Sequence, residues 1–168
     1  SQPTRKRFLE LIRYAQKEII IETPYFLPGS VVRKALIEAV QRGVKVKIIS
    51  PLHSDVTIVD ILRGRYFGEL YNAGVEVLLY KPKNLHAKVF LTDNIFFIIG
   101  SSNFDYRSFR FQHEINLLGK ERKVISLLRA HILRTLEDCE SFDIERWERR
   151  TLLQRIIERI LVPFRHLF

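Results

Sequence analysis

The sequence contains a single cysteine, Cys139, and no methionine. One thiol cannot form a disulfide within the chain and cannot build a metal site from several thiolates. The missing methionine, at position 1 as elsewhere, indicates a piece of a longer protein, although removal of the initiator residue would give the same start. No apolar run approaches the roughly 18 residues of a membrane-spanning helix, and no signal-peptide pattern opens the chain. The best continuous run is Ile95–Ile99.

The residues that are present are typical of a globular protein. Of 168 residues, 46% are hydrophobic and 28% are charged, which excludes a disordered chain and suits one compact domain with a sizeable core. Lysine and arginine number 28 against 19 acidic residues, for a net charge of +9. This excess favours an anionic partner such as nucleic acid, phospholipid headgroups or a membrane surface, but it does not choose among them.

Hydrophobic periodicity predicts alternating strands and helices through the first half of the chain. Strands are expected at Glu18–Glu22, Val44–Ser50 and Val75–Tyr80, and helices at residues 4–17, 30–42 and 57–73. This order is typical of an α/β domain with parallel strands.

The pattern then changes to a hairpin. His86–Thr92 and Ile95–Ile99 are predicted strands joined by a tight turn at Asp93 and Asn94. One more strand is expected at residues 111–119, followed by helices at about 121–138 and 143–161. The predicted fold class is α/β, with a mixed β-sheet flanked by helices on both faces and one domain over residues 1–168.

The chain ends in a basic amphipathic helix and tail at residues 143–168. Its apolar face contains Leu153, Ile156, Ile157, Ile160 and Leu161. Such a face can pack on the sheet or lie on an anionic membrane. We expect packing, with Pro163 and Phe164 as candidate membrane contacts beyond the helix.

Polar residues cluster around the predicted hairpin. His86 and Lys88 are two apart in a predicted strand, so their side chains should project from one face and bind a phosphodiester between them. Ser101 and Asn103 follow the second strand and can donate hydrogen bonds to phosphate oxygens, while Gly100 permits close backbone approach. Because the strands should pair, these groups are expected to converge.

Each of these residues also has an ordinary structural interpretation. A lone histidine is usually a core or surface residue, and Asp93 and Asn94 would be expected at a turn in any case. His53, His131 and His166 have no partner pattern, so we expect them on the surface. The combined frame of His-x-Lys, four residues, Asp, six residues and Gly-Ser-x-Asn favours a phosphate site.

This frame resembles the "HKD" motif of the phospholipase D superfamily. The stretches "ETPYFLPGSVVRKALIEAVQRGVKVKIISP", "YFGELYNAGVEVLLY" and "GSSNFDYRSFRFQHEINLL" resemble the C-terminal catalytic half of bacterial cardiolipin synthases. The resemblance implies a phospholipase D-like fold. Arg107 and Ser108 follow the family's "RS" pattern and suggest loop positioning. Gln112 and His113 depart from the Asn and the aromatic residue that the family often has at these positions.

The resemblance also implies transfer of a phosphatidyl group between phosphatidylglycerol molecules through a phosphohistidine. The implied catalytic residues are His86, Lys88, Asp93 and Glu114, with Gly100, Ser101 and Asn103 as the phosphate-binding residues. Glu114 would accept a hydrogen bond from Nδ1 of His86, as in a catalytic triad. Asp93 would have a structural or orienting role. No cofactor is implied, and the sequence offers no credible set of metal ligands.

The "TPYF" stretch places Tyr25 and Phe26 in a loop after a strand, where crevices form in open α/β sheets. They are candidates to line an acyl or headgroup channel, and simple loop packing is the equal alternative.

Active sites of the superfamily use two such motifs, and this sequence carries one. The second is expected either in the same parent chain, with His86 as the general acid/base, or in a second copy of a homodimer, where the two histidines are equivalent by sequence. The implied location is the bacterial cytoplasmic membrane through the parent protein, with this piece soluble or peripheral.

Two other functions remain open on the sequence. A single-motif nuclease acting as a homodimer would suit the net charge, although no nucleic-acid-binding module is recognisable. A module that only binds phosphate is also conceivable, but the complete set of His, Lys, Asp, Ser and Asn argues against it.

Overall fold

The computed structural model describes residues 2–82 and 85–161. The helices in these ranges are α1 (Gln2–Tyr14), α2 (Ser30–Gln41), α3 (Thr57–Asn72), α4 (Tyr106–Arg110), α5 (Arg122–Glu137), α6 (Ile144–Glu148) and α7 (Leu152–Leu161). The strands are β1 (Glu18–Glu22), β2 (Phe26–Leu27), β3 (Lys45–Pro51), β4 (Glu76–Tyr80), β5 (Val89–Thr92), β6 (Phe96–Gly100), β7 (Phe104–Asp105), β8 (Asn116–Gly119) and β9 (Cys139–Ser141). Within these ranges, no helix combines the length and apolar content that crossing a bilayer requires.

The predicted α/β fold is confirmed. Seven strands form one sheet in the order β8-β6-β5-β1-β3-β4-β9. β1, β3 and β4 are parallel, as the alternation with helices predicted, and β5, β6, β8 and β9 add antiparallel neighbours. β2 and β7 form a separate two-stranded parallel sheet that the sequence did not reveal.

Helices cover both faces of the large sheet because the apolar side chains of β1 point alternately to either side. Ile19 and Ile21 are buried in the core beneath α1, α2 and α3. Ile20 faces the opposite way and packs with Ile125 and Ile132 of α5. The continuous apolar run of β1 therefore serves two cores, as is typical of a central strand.

The second half differs from the sequence prediction at several boundaries. β5 begins at Val89, so the segment 85–88 precedes the strand, and β8 begins only at Asn116. The helix α4 and the edge strand β9 were not predicted. The predicted turn is present: Asp93 and Asn94 have φ values of 56° and 57°, which these two residue types tolerate better than most.

The C-terminal segment forms two helices, so the prediction of one helix at residues 143–161 was wrong. Thr151 and Gln154 begin α7 as a capping box: the backbone N–H of Thr151 donates to Gln154 Oε1 at 2.9 Å, and that of Gln154 donates to Thr151 Oγ1 at 3.3 Å. Leu161 packs against the α3 side of the protein, whereas Leu152, Ile156 and Ile160 are exposed. Pro163, Phe164, His166 and the side chains of Leu153, Ile157 and Arg159 lie outside the described part.

Candidate active site

His86 and Lys88 lie in the segment just before β5, not on the strand as predicted. The strand cannot begin earlier on the β1 side, because Glu22 is the last residue of β1 and pairs with Val89. Because Lys88 lies outside the strand, its side chain is not held perpendicular to the sheet and turns back, and its Nζ donates to the backbone carbonyl oxygen of His86 at 2.9 Å. The ammonium therefore lies beside the backbone of residue 86, but the two heads do not project in parallel from one strand.

The surroundings of Lys88 are partly buried and acidic. Burial lowers the pKa of Lys88, while the nearby carboxylates of Glu114 and Asp105 oppose this shift. Lys88 lines a small cavity with Glu22 and Ser102. The hairpin register explains the convergence: Val89 pairs with Ile99, so the loop that follows β6 lies next to the segment that precedes β5.

Glu114 contacts Ser101 instead of the imidazole of His86. Ser101 Oγ donates to the Glu114 carboxylate and accepts the backbone N–H of Ile115 at 3.0 Å. Among the hydrogen bonds of the described residues, none joins His86 to Glu114. The expected triad-like bond is thus not present, because Glu114 lies before β8 and next to the Gly100–Asn103 loop.

Asn103 and Gly100 have different tasks in this loop. The side-chain Oδ1 of Asn103 is buried and has no hydrogen-bond partner among the described residues, while its backbone N–H donates to Ser108 Oγ at 3.2 Å. Gly100 permits close approach to β8: a Cβ atom there would clash with the carbonyl oxygen of Ile115 and lie 2.8 Å from Cα of Asn116.

Asp105 is a buried acid that was not predicted from the sequence. Its Oδ1 accepts the backbone N–H of Ser108 at 2.7 Å, which caps the N-terminus of α4. Burial raises the pKa of Asp105, and its hydrogen bonds with Ser108 counteract this. The Asp-x-x-Ser spacing before a helix was the available signal for this cap. Ser108 also donates to Gln112 Oε1 at 3.1 Å, consistent with the loop-positioning role expected for Ser108.

Asp93 lies at the opposite end of the hairpin, roughly 16 Å along the strand from Lys88. Its carboxylate accepts the backbone N–H groups of Gln16, Lys17 and Glu18 at 2.8, 2.7 and 2.9 Å. It therefore fixes the hairpin to the junction of α1 and β1, and it does not join the other predicted site residues. The expectation of a structural role agrees with this position, and a direct contact with substrate does not.

Tyr25 and Phe26 separate in the structure. Phe26 is fully buried and stacks on Phe67 and Phe104, so its assignment to a substrate channel was wrong. Tyr25 lines an open cavity of about 490 Å³ together with His53 and the exposed His86. The cavity lies where the parallel strands β1 and β3 end. Crevices in open α/β sheets form at the carboxyl ends of such strands. His53, expected as an ordinary surface residue, is exposed on the wall of this cavity.

A second missed acid is Glu22, fully buried at the end of β1. Its carboxylate bonds to Nε2 of His131 at 2.9 Å and lies 3.4 Å from Oγ1 of Thr135. Burial raises the pKa of Glu22, and His131 opposes that shift. His131 is thus paired with a core carboxylate, whereas the sequence predicted a surface residue without a partner. The i, i+4 spacing of His131 and Thr135 on α5 was the only signal.

In residues 2–82 and 85–161, no three His, Cys, Asp or Glu side chains come close enough together to hold a metal ion.

Known proteins resemble this chain in sequence and in fold. The chain is 32% identical to a cardiolipin synthase of Clostridium perfringens over 160 residues, which is 95% of this chain and 34% of that protein. The chain therefore spans about a third of the length of the curated relatives it matches. Two crystal structures share its fold. One is a phosphatidylserine synthase of Haemophilus influenzae, with a TM-score of 0.73, 14% identity and coverage of 98% of this chain and 42% of that one. The other is Nuc of Salmonella typhimurium, a phospholipase D family member, with a TM-score of 0.72, 22% identity and coverage of 82% and 90%.

The family model described as "Cardiolipin synthase, PLD-like domain" matches residues 8–136, which include every residue of the predicted site. The chain belongs to this family of phospholipase D-like domains of cardiolipin synthases.

Proposed function

We propose that this chain supplies one half of the active site of a phosphatidyltransferase, whose complete form transfers a phosphatidyl group between two phosphatidylglycerol molecules. One observation carries the proposal. In a chain of the cardiolipin synthase family, the His86–Lys88 segment and the Gly100–Asn103 loop lie side by side at one end of the β5–β6 hairpin. Imidazole, ammonium, hydroxyl and amide groups are the donors that a phosphodiester needs.

The proposed reaction has two steps and needs two imidazoles. In the first, one histidine attacks phosphorus, the new P–N bond replaces the P–O bond to the leaving glycerol, and the second histidine gives its proton to that oxygen. In the second, this histidine takes the proton of the acceptor hydroxyl, whose oxygen attacks phosphorus and displaces the first imidazole. We assign the acid and base role to His86, because it is exposed on an open cavity through which alcohols can enter and leave.

Lys88, Ser101 and Asn103 would stabilise the non-bridging oxygens. An ammonium has three N–H donors, and Lys88 uses one on the His86 carbonyl oxygen. Asn103 would donate through its Nδ2 amide group, because its buried Oδ1 is an acceptor and cannot bond to a phosphate oxygen. The Ser101 hydroxyl has one proton, which it donates to Glu114, so it would exchange that bond for one to a phosphate oxygen when substrate binds. Asp93 would position the hairpin from a distance.

The second imidazole must come from a second half, either in the same parent chain or in a second copy of this one. The lipid substrate implies that the complete protein works at the bacterial cytoplasmic membrane. The positive net charge of +9 suits an anionic phospholipid and its membrane surface.

The test uses the full-length parent protein with phosphatidylglycerol vesicles and measures cardiolipin by mass spectrometry. His86→Ala should lower the rate at least about a hundredfold, because acid–base catalysis contributes that much. Lys88→Ala should also lower it, whereas the matched control Lys123→Ala, on the exposed side of α5, should not. Transfer by folded His86→Ala at the original rate would refute the assignment.

The competing candidate is a single-motif nuclease that acts as a homodimer, which the net charge of +9 also favours. It predicts that the isolated chain sediments as a dimer and degrades DNA or RNA without added metal. The transferase proposal predicts that the chain as a monomer is inactive on both nucleic acid and lipid.

A further inference from the structure

The open cavity beside His86 has an acidic wall that the phosphate chemistry does not use. His86 enters this cavity of about 490 Å³ from one side, and Tyr25, Ser54 and Asp55 face it from the loops after β1 and β3. Pro24, Pro51 and Leu85 supply apolar surface. A cavity of this size, in which polar side chains converge beside apolar surface, is typical of a small-molecule site.

Two of these polar groups hold each other in place. The Tyr25 hydroxyl donates to Oδ1 of Asp55, thirty positions further along the chain. Burial and the Asp55 carboxylate raise the pKa of Tyr25 to about 12, so the phenol keeps its proton and remains the donor. Asp55 is consequently the acceptor of this bond, and the phenol orients its carboxylate. A carboxylate has about four acceptor positions, and Tyr25 occupies one of them.

A carboxylate on the wall of the cavity that His86 lines selects which groups can approach His86. Its charge repels a second phosphate group brought close to it and does not repel a neutral alcohol. It also accepts a hydrogen bond from any O–H group that comes within reach, and bonds to a charged acceptor are stronger than neutral ones. The group that meets both conditions next to His86, with no charge and with an O–H donor, is the uncharged end of a polyol.

We propose that Asp55, oriented by Tyr25, is a specificity-determining residue that binds a hydroxyl of the acceptor alcohol. The acceptor class is then a polyol whose second hydroxyl neighbours the one that attacks phosphorus. The glycerol end of a phospholipid headgroup and free glycerol share this chemistry. This inference rests on the proposed transferase function and adds the basis of acceptor choice.

The test is a competition between two soluble acceptors in the full-length parent protein with phosphatidylglycerol vesicles. Deuterated glycerol and 1-propanol are added at equal concentration, and mass spectrometry gives the ratio of deuterated phosphatidylglycerol to phosphatidylpropanol. The unsubstituted protein should favour glycerol. Asp55→Ala should lower the ratio about tenfold, the value expected for one hydrogen bond to a charged acceptor. Tyr25→Phe, which leaves the carboxylate without its orienting donor, should lower it about threefold.

The ratio is independent of the total rate, so partial loss of activity does not obscure it. Asp138→Ala is the matched control, since Asp138 is exposed and lies outside the cavity, and its ratio should stay unchanged. An unchanged ratio in both Asp55→Ala and Tyr25→Phe, or no preference for glycerol in the unsubstituted protein, overturns the acceptor role alone. A parent protein that transfers to neither alcohol and makes no cardiolipin refutes the proposed function itself.

Discussion

The position of Asp93 leads to a prediction that distinguishes a catalytic role of this side chain from a structural one. Asp93→Ala removes three acceptor contacts, to the backbone N–H groups of Gln16, Lys17 and Glu18. Two of these donors reach solvent, so we take about 1 kcal/mol for each bond, the middle of the usual range for neutral bonds. Alanine at a φ of 56° adds about 1 kcal/mol of backbone strain. The expected loss in the free energy of unfolding is about 4 kcal/mol.

Asp93→Asn should lose only about 2 kcal/mol, because asparagine tolerates the left-handed conformation and keeps one acceptor oxygen. Urea unfolding of the chain, followed by circular dichroism, measures both variants, and exposed Asp138→Ala is the control with no expected loss. In the parent protein, the fraction of Asp93→Asn that stays folded should transfer phosphatidyl groups at nearly the original rate. A loss below about 1 kcal/mol for Asp93→Ala, or folded Asp93→Asn that is inactive, would contradict a purely structural role of Asp93.

Two further predictions concern the packing around the site. Gly100→Ala should cost about 1–3 kcal/mol and speed amide hydrogen exchange in β8, because the added methyl group meets the backbone of that strand. Gly29→Ala, where the new Cβ would lie 3.8 Å from Tyr106, is the control, and equal exchange in the two variants would contradict the prediction. Glu22→Gln should change the pH dependence of stability. Burial raises the pKa of Glu22 above the usual 4.5, so the folded chain holds this proton at a higher pH than the unfolded chain does. The unfolding free energy of the unsubstituted chain should therefore fall as the pH rises above 4.5, and that of Glu22→Gln should not fall for this reason. If the unfolding free energies of the two proteins, measured with urea, change by the same amount between about pH 4 and pH 7, this role of Glu22 is excluded.

The β5–β6 hairpin shows which features a local sequence pattern predicts and which it does not. Asp93 and Asn94 were predictable as a turn because few residues tolerate positive φ, and the turn fixes which residues of β5 and β6 face each other. The pattern could not tell where β5 begins. That boundary depends on where the neighbouring strand β1 ends, which is a property of another part of the chain.

The hydrogen-bond partners of the site were beyond the sequence for a similar reason. Glu114 was predicted on the strand after the loop, but it lies before that strand, and the choice between Ser101 and His86 as its partner depends on the path of the chain before β8. Glu22 and His131 are 109 positions apart, and only the packing of α5 on the sheet brings them together.

The amino-acid order alone determined the layered α/β architecture, the hairpin turn and the set of residue types proposed to bind phosphate, because these follow from periodicity, allowed backbone angles and side-chain chemistry within short stretches. The tertiary structure decided which of those residues meet. It moved Asp93 away from the site, buried Phe26, and brought Asp55 and Tyr25 to the cavity of His86. Contacts between distant segments depend on strand order and register, and no local pattern encodes them.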